Sequence, residues 1–231
     1  MISIIIPINH KDRVGQANNL YRLLKEEAGV PVEVITACDN PAIYDLLKTD
    51  VLVKLPKRIG FTQSVNVAER FASNKLVWYM DDSVTPTKNW GKIAIDAFYK
   101  RFPDANGIME ISGANNCATR CIATREYCYE LNLNNLLWPE YIHCGDTEHY
   151  ERAVPQNKFY AYPTPLLIEK KVNDESRIRN SKIFLFDDSI RDYRRNKGFP
   201  KEATPDWQGR LRSYCERDPD LVELYNNIFN L

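Results

Sequence analysis

Leu76–Pro86 reads LVWYMDDSVTP, an apolar run that stops at two adjacent carboxylates, Asp81 and Asp82, followed by the hydroxyl of Ser83. Ligands of open α/β sheets sit beyond the carboxyl ends of the strands, so a strand that delivers paired carboxylates there offers a place to hold a cation. Asp oxygens suit hard ions such as Mg²⁺ and Mn²⁺, which also grip phosphate. The stretch therefore points to a phosphorylated ligand. Asp and Ser also favour turns and caps, so an Asp-Asp-Ser turn that merely ends a strand is the competing reading, and the surrounding pattern has to decide.

Working outward, Ile2–Ile6 is a continuous run of β-branched apolar residues closed by Pro7, the pattern of a central strand buried on both faces. From about Gly15 to Ala28 the apolar residues Ala17, Leu20, Leu23 and Leu24 recur at helical spacing, and Gly29 is a stop signal. A strand over Pro31–Ala37 completes a β-α-β opening. A short helix over Ala42–Lys48, a strand over Val51–Leu55, a helix over Phe61–Ser73 and the strand Leu76–Met80 follow. This alternation predicts a mostly parallel sheet flanked by helices.

After Trp90 the pattern predicts a helix to about Lys100, a strand over Gly107–Ser112, a cysteine-rich stretch, and a run into helix through WPEYIHCGDTEHYERA. Phe159–Ile168 reads as one further strand whose prolines suit a sheet edge. From Lys170 on the chain is highly charged, with helices expected over Asp187–Lys197 and Asp220–Phe229 on the outside of the core. The expectation is an α/β domain over 1–170 with a charged helical C-terminal extension, 171–231, packed on it.

The bulk composition removes several classes. With 44% hydrophobic and 27% charged residues over 231 positions, the chain is ordinary globular material able to bury a substantial core. Lys+Arg and Asp+Glu are equal at 31 each, so no global basic field advertises nucleic acid. The opening MISIIIPINH has too short an apolar run, and no basic leader, to read as a signal peptide or membrane span. Six cysteines without C-x-x-C spacing read as reduced thiols, which suggests a cytoplasmic protein. Cys117 and Cys121, at helical spacing, read as packing residues. Three histidines (His10, His143, His149) are too few and too separated for a zinc site, and no G-x-x-x-x-G-K-[ST] loop is present.

Four pieces line up along the chain: a first strand ending in Pro7-Ile8-Asn9, a second ending in CDNP (Cys38–Pro41), the segment RIGFTQSVNVA (Arg58–Ala68), and MDDS. In this order they resemble the nucleotide-sugar half of family 2 glycosyltransferases, over roughly residues 1–155. The resemblance implies a GT-A-like, Rossmann-type mixed sheet, with 1–100 as its nucleotide-binding half and 101–170 as its acceptor half. It implies that Asp39 holds the nucleobase, that Asn66 matches the Asn of the family's G-x-x-x-x-x-N helix after Gly60, and that Asp81 meets the ribose. Pro7, Asn9 and Arg58 fall in the same nucleotide-binding set, Arg58 at the diphosphate. Asp82 and Ser83 take the metal position, implying Mn²⁺ or Mg²⁺. GDTEHYER (Gly145–Arg152) is similar to the family's segment at the start of the helix beneath the acceptor site, which makes Asp146 the general base of an inverting transfer. ISGANNCATR (Ile111–Arg120) is similar to the loop that lines the donor sugar: Gly113 permits close approach, and Asn115 and Asn116 reach sugar hydroxyls. Trp138 would stack on a sugar ring, and Glu148 belongs to the acceptor wall. The expected partners are a nucleoside-diphosphate sugar, such as a UDP-sugar, and a glycan, lipid-linked sugar or modified nucleic acid as acceptor.

Bland readings stand beside these: an Asx turn for Asp39, surface charge for Arg58, capping or surface polarity for Asn66, a helix cap for Asp146, a simple turn for Asn115 and Asn116, a core role for Trp138, and an intrahelical ion pair for Glu148 with Arg152. The chain departs from the family pattern at Ser83, where a second Asp is usual, and at Gly145 and His149, and no His follows His149. Two alternatives stay open: a catalytically degenerate nucleotide-sugar-binding module, motivated by Ser83, and a nucleotidyltransferase, disfavoured by the Gly-poor loop INHKDRVG. The arginines and lysines of the extension suit either an anionic acceptor or, given the interspersed acids, a solvated helical face.

Overall fold

The computed structural model describes residues 1–113, 117–169 and 181–215, together with 222, 226 and 227. Its centre is a seven-stranded sheet in the order β3-β2-β1-β4-β7-β6-β8. These strands are β1 (Ile2–Ile8), β2 (Val32–Cys38), β3 (Val51–Lys54), β4 (Leu76–Tyr79), β6 (Ile108–Glu110), β7 (Cys121–Thr124) and β8 (Phe159–Ala161). The pairs β1/β2, β2/β3, β1/β4 and β6/β8 are parallel, whereas β7 runs antiparallel to both β4 and β6. A two-stranded antiparallel pair, β5 (Val84–Pro86) with β9 (Leu167–Glu169), lies beside it. The expected α/β architecture, a mixed and mostly parallel sheet flanked by helices, is the one observed.

β1 explains why the sheet forms here. Its residues alternate between two apolar clusters, Ile4, Ile6 and Ile8 facing one and Ile5 the other, as the two-residue period of a strand requires. Helices α1 (Val14–Glu26) and α3 (Trp90–Arg101) pack in the first cluster, through Leu20, Leu24, Trp90 and Phe98; α2 (Phe61–Glu69) packs in the second, through Val65 and Ala68. α4 (Arg125–Leu131) joins the second cluster through Tyr127 and Cys128.

Three expectations are corrected. Phe159–Ile168 is two strands in different sheets, β8 and β9, because Pro163 and Pro165 interrupt it and proline donates no ladder bond; β8 does lie at the sheet edge. The cysteine-rich stretch contains a buried antiparallel strand, so Cys121 is a strand residue rather than part of a helix. The third concerns where the extension's first helix begins, though one face of it packs on the core and the other stays exposed. Helix α6 (Ser181–Asn196) begins before Asp187, and with α7 (Trp207–Cys215) it supplies Ile183, Phe186, Ile190 and Leu211 to a third cluster shared with Trp138, Tyr141 and Ile142. Asp187 and Arg194 are fully buried there. The helix expected over Asp220–Phe229 falls largely outside the described residues, as do Arg177 and Arg179.

Arg194 is the pin of that cluster. Its Nε donates to Glu148 Oε2 at 2.7 Å and its Nη2 to Glu148 Oε1 at 2.9 Å, and its guanidinium lies 3.4 Å from the centre of the Trp138 ring. Glu148 belongs to helix α5 (Gly145–Ala153) and is also held by Arg152 and by the Tyr141 hydroxyl. Removing one partner from such a pair leaves a buried charge uncompensated. Arg194→Met is therefore expected to lower the unfolding free energy by about 3–5 kcal/mol, read from urea unfolding curves of the full chain.

Candidate functional site

The carboxyl ends of β1 and β2 and the first turn of α2 enclose a cavity of about 160 Å³, lined by Pro7, Asn9, His10, Asp39, Arg58, Gly60, Phe61, Ser64, Ile142, His143 and Ile183 among others. Five of the expected nucleotide-binding residues, Pro7, Asn9, Asp39, Arg58 and Gly60, share this one pocket. It is smaller than the roughly 300–1,000 Å³ that encloses a whole small-molecule ligand, and its size suits one planar ring with its polar edge. Burial pushes the Asp39 carboxyl above its ordinary value, while the charges of Arg58 and His10 pull it back down. Asp39 thus offers acceptor oxygens in the pocket with the Arg58 guanidinium near them.

Gly60 makes the pocket floor possible. Its φ is +83°, and a Cβ there would sit 3.1 Å from Ile142 Cγ2, so the α2 start can press against the turn before α5, where the Thr62 amide donates to the Ile142 carbonyl at 3.0 Å.

The second wall comes from that turn. His143 stands between Phe61 and Phe184, ring centres 5.0 and 5.1 Å away, and burial lowers its pKa while the Asp146 charge pulls it back up. Asp146 is in the first turn of α5; Cys144 is the N-cap and makes no side-chain capping bond. The Asp146 carboxylate is half-buried and accepts from the Thr147 amide at 3.0 Å and from the hydroxyl of Tyr79, the last residue of β4. This ties the proposed base directly to the strand that delivers Asp81.

The acidic tip itself is charge-paired. Asp81 accepts from the Ser83 amide at 2.9 Å and from the Ser83 hydroxyl, an Asx turn, and from Arg120 Nη2 at 2.8 Å. Asp82 is buried, with Arg13 Nε on Oδ2 at 2.7 Å and Arg13 Nη2 on Oδ1. Neither residue lines the cavity. Among the described residues no group of three His, Cys, Asp or Glu side chains could hold an ion alone. Mg²⁺-type ions in nucleotide sites are usually held by one or two carboxylates together with substrate phosphates; here both Asp82 oxygens are covered by Arg13 and the Ser83 hydroxyl is turned to Asp81.

Several expected site residues are elsewhere. Asn66 is buried and its amide bonds the Leu137 backbone in both directions, 2.9 and 3.0 Å, so it staples α2 to the turn before α5 instead of facing the pocket. Trp138 is fully buried, with Arg194 over its ring and its Nε1 donating to Glu140 at 2.9 Å, leaving no face for a sugar. Glu148 is 1% exposed and is the buried anion of the Arg152–Arg194 network. Gly113, at φ +86°, packs against Pro165, and its amide donates to the buried Glu110 at 2.9 Å. Asn115 and Asn116 lie outside the described residues. The arginines of α6 face acids: Arg191 meets Asp188, and Arg195 meets Glu151 and Asp192.

The sequence reading missed His10, Phe61, Ser64, His143 and Ile183. His10 directly follows the first strand tip, and Phe61 and Ser64 flank Gly60 on the first helical turn, so spacing could have flagged them. Ile183 arrives from a helix more than a hundred residues away in the chain and had no local signal.

No family model and no curated protein sequence matches the chain. Solved structures do. S. aureus TarS superposes with a TM-score of 0.55 at 13% identity, covering 96% of this chain and 50% of that one. Residues 1–349 of TarS in complex with UDP give 0.54 at 12%, covering 98% and 88%. The mannosyltransferase PcManGT from Pyrobaculum calidifontis, in complex with GDP-Man and Mn²⁺, gives 0.59 at 14%, covering 98% and 71%. The chain spans about half the length of the longer TarS chain. The fold is the GT-A fold of these glycosyltransferases. Among the described residues no helix is long and apolar enough to cross a membrane.

Asp187 gives the site a pH signature. Its carboxylate accepts from the amides of Ile142, His143 and Cys144 at 2.9, 2.7 and 2.8 Å, yet burial outweighs those bonds and raises its pKa from 3.8 to about 6. The folded state then binds more protons than the unfolded one between those values. Its contribution to stability is fully present below about pH 4 and is lost as pH rises to about 6. The difference in urea midpoint between the parent protein and Asp187→Asn is expected to change across pH 4–6 and to be constant above pH 7.

Proposed function

We propose that the protein is an inverting glycosyltransferase that moves a sugar from a nucleoside-diphosphate sugar to an acceptor hydroxyl. The observation that carries this reading is the pocket at the ends of β1 and β2, where Asp39, Arg58 and Gly60 converge with His10 and Phe61 in a fold whose solved neighbours were captured with UDP and GDP-Man. The base sits in this pocket with its edge on Asp39. Arg58 faces the first phosphate.

Asp146 is the general base. Its place in the first turn of α5 sets the positive end of a helix beside the carboxylate, and the Tyr79 hydroxyl fixes one side of it, leaving the remaining acceptor capacity for an incoming hydroxyl. Asp82 and the Ser83 hydroxyl would hold Mg²⁺ or Mn²⁺, which neutralises the leaving diphosphate when bound. The rest of the rate comes from positioning donor and acceptor in line. The internally paired arginines of α6 favour a neutral glycan acceptor over an anionic one such as a phospholipid-linked sugar or a modified nucleic acid.

Calorimetric titration with UDP, GDP, CDP and dTDP, each with and without Mn²⁺, tests this. One diphosphate is expected to bind selectively in the micromolar range, and Asp39→Ala to weaken it at least tenfold. Asp146→Asn is expected to leave that binding intact and to slow sugar transfer, or donor hydrolysis as its proxy, by about 10²–10⁴-fold. Binding without any turnover in the parent protein would favour the degenerate binding module; no binding to any diphosphate would refute both.

A further inference from the structure

We propose that Arg13 is the resident cation of the acidic tip: in the nucleotide-free protein it closes Asp82 to a divalent ion, and it releases that carboxylate only when a diphosphate offers it a second anion. The diphosphate half of this inference rests on the glycosyltransferase reading; the ion half stands without it.

The geometry is a planar fork on a carboxylate. Arg13 covers both Asp82 oxygens, through Nε at 2.7 Å and through Nη2, with side-chain exposures of 19% for Arg13 and 6% for Asp82. An ion that approached Asp82 alone would have to dehydrate, which Mg²⁺ does reluctantly, and displace a two-point charged contact. Asp81 offers no detour, because its oxygens are taken by Ser83 and by Arg120, which itself lies 3.3 Å from Glu169.

Arg13 has the means to change partner. It ends a short 3₁₀ turn, Lys11–Arg13, between the tip of β1 and α1. Asp82, by contrast, is fixed through its carbonyl, which accepts from Gln16 Nε2 at 2.7 Å. A guanidinium fork pairs with phosphate oxygens as well as with a carboxylate, so a diphosphate entering beside Asn9 and His10 gives Arg13 somewhere to go and exposes Asp82 in the same event. Ion and nucleotide then bind with positive coupling, and the coupling is reciprocal.

The test is a Mn²⁺ titration, followed by the electron paramagnetic resonance of the free ion, of the full chain with and without the best-binding diphosphate. The parent protein is expected to bind Mn²⁺ alone weakly and at least tenfold tighter with the diphosphate. Arg13→Gln is expected to bind Mn²⁺ alone at least tenfold tighter than the parent and to lose most of the coupling, while Asp82→Asn abolishes both. Thermal melts check folding; should Arg13→Gln not fold, Arg13→Lys, which keeps the charge but not the fork, is read in its place with the same direction of change. Equal Mn²⁺ affinity of parent and variant without nucleotide overturns the proposal. If no diphosphate binds at all, the glycosyltransferase reading fails, and the nucleotide-free comparison still decides the role of Arg13.

Discussion

Everything in this molecule follows from β1 being hydrogen-bonded in parallel on both edges. Ile2 pairs with Val32 of β2 on one side and with Leu76 of β4 on the other, so the chain winds outward through β2 and β3 and then crosses back over β1. At such a reversal the connections leave in opposite directions and a crevice opens beyond the strand ends. Pro7–His10, Cys38–Asn40 and Asp81–Ser83 are the three strand ends bordering it. Their meeting is thus a consequence of topology. The topology in turn needs an innermost strand apolar on both faces, which the run of isoleucines supplies.

The half-sheet beyond β4 obeys a different logic. β7 turns antiparallel, and the C-terminal helices pack on the segment that leads into α5, through Trp138, Tyr141 and Ile142. Arg194 reaches Glu148 on α5, and Asp187 reaches three consecutive amides just before α5 begins. A buried carboxylate that collects three backbone donors does for that turn what an N-cap does for a helix, but from a separate element. The α5 start, with Asp146 on it, is positioned by residues some forty places later in the sequence. The extension therefore shapes the site wall even though none of the expected site residues lies in it.

What the sequence disclosed follows the same division. Most of the strands and helices up to Arg101 were legible because each carries its own signal: β-branched runs for the strands, helical spacing for α1 and α2, glycine at a stop or a start; β5, only Val84–Pro86, was missed, and the short helix expected over Ala42–Lys48 is a 3₁₀ turn over Pro41–Leu46. Asp39, Arg58 and Gly60 could be grouped because each sits at the end of such an element. β7 was not legible, since four residues, Cys-Ile-Ala-Thr, are too few to show a period. Trp138, Glu148 and Asn66 were assigned to the ligand because polar or aromatic residues near a motif invite it; their satisfaction by Arg194, Arg152 and the Leu137 backbone depends on contacts that sequence order does not express.

The carboxylates show how structural and functional acids part company. Glu148, Asp187, Glu110 and Asp82 are all buried, and each is met by arginines, a tyrosine or backbone amides, as burial of a charge demands. Asp39 and Asp146 are half-buried and less completely answered: Asp39 has its own amide and the fields of Arg58 and His10, Asp146 one amide and one tyrosine hydroxyl. A fold that satisfies four acids so fully has the means to satisfy the other two. Acids left with acceptor capacity at a cleft are the ones a ligand can complete. Asp82 stands between the groups, satisfied by a partner that is itself exchangeable. On the inference drawn for Arg13, the tip of β4 is a charge pair open to a competing anion, and the competitor proposed for it is a diphosphate.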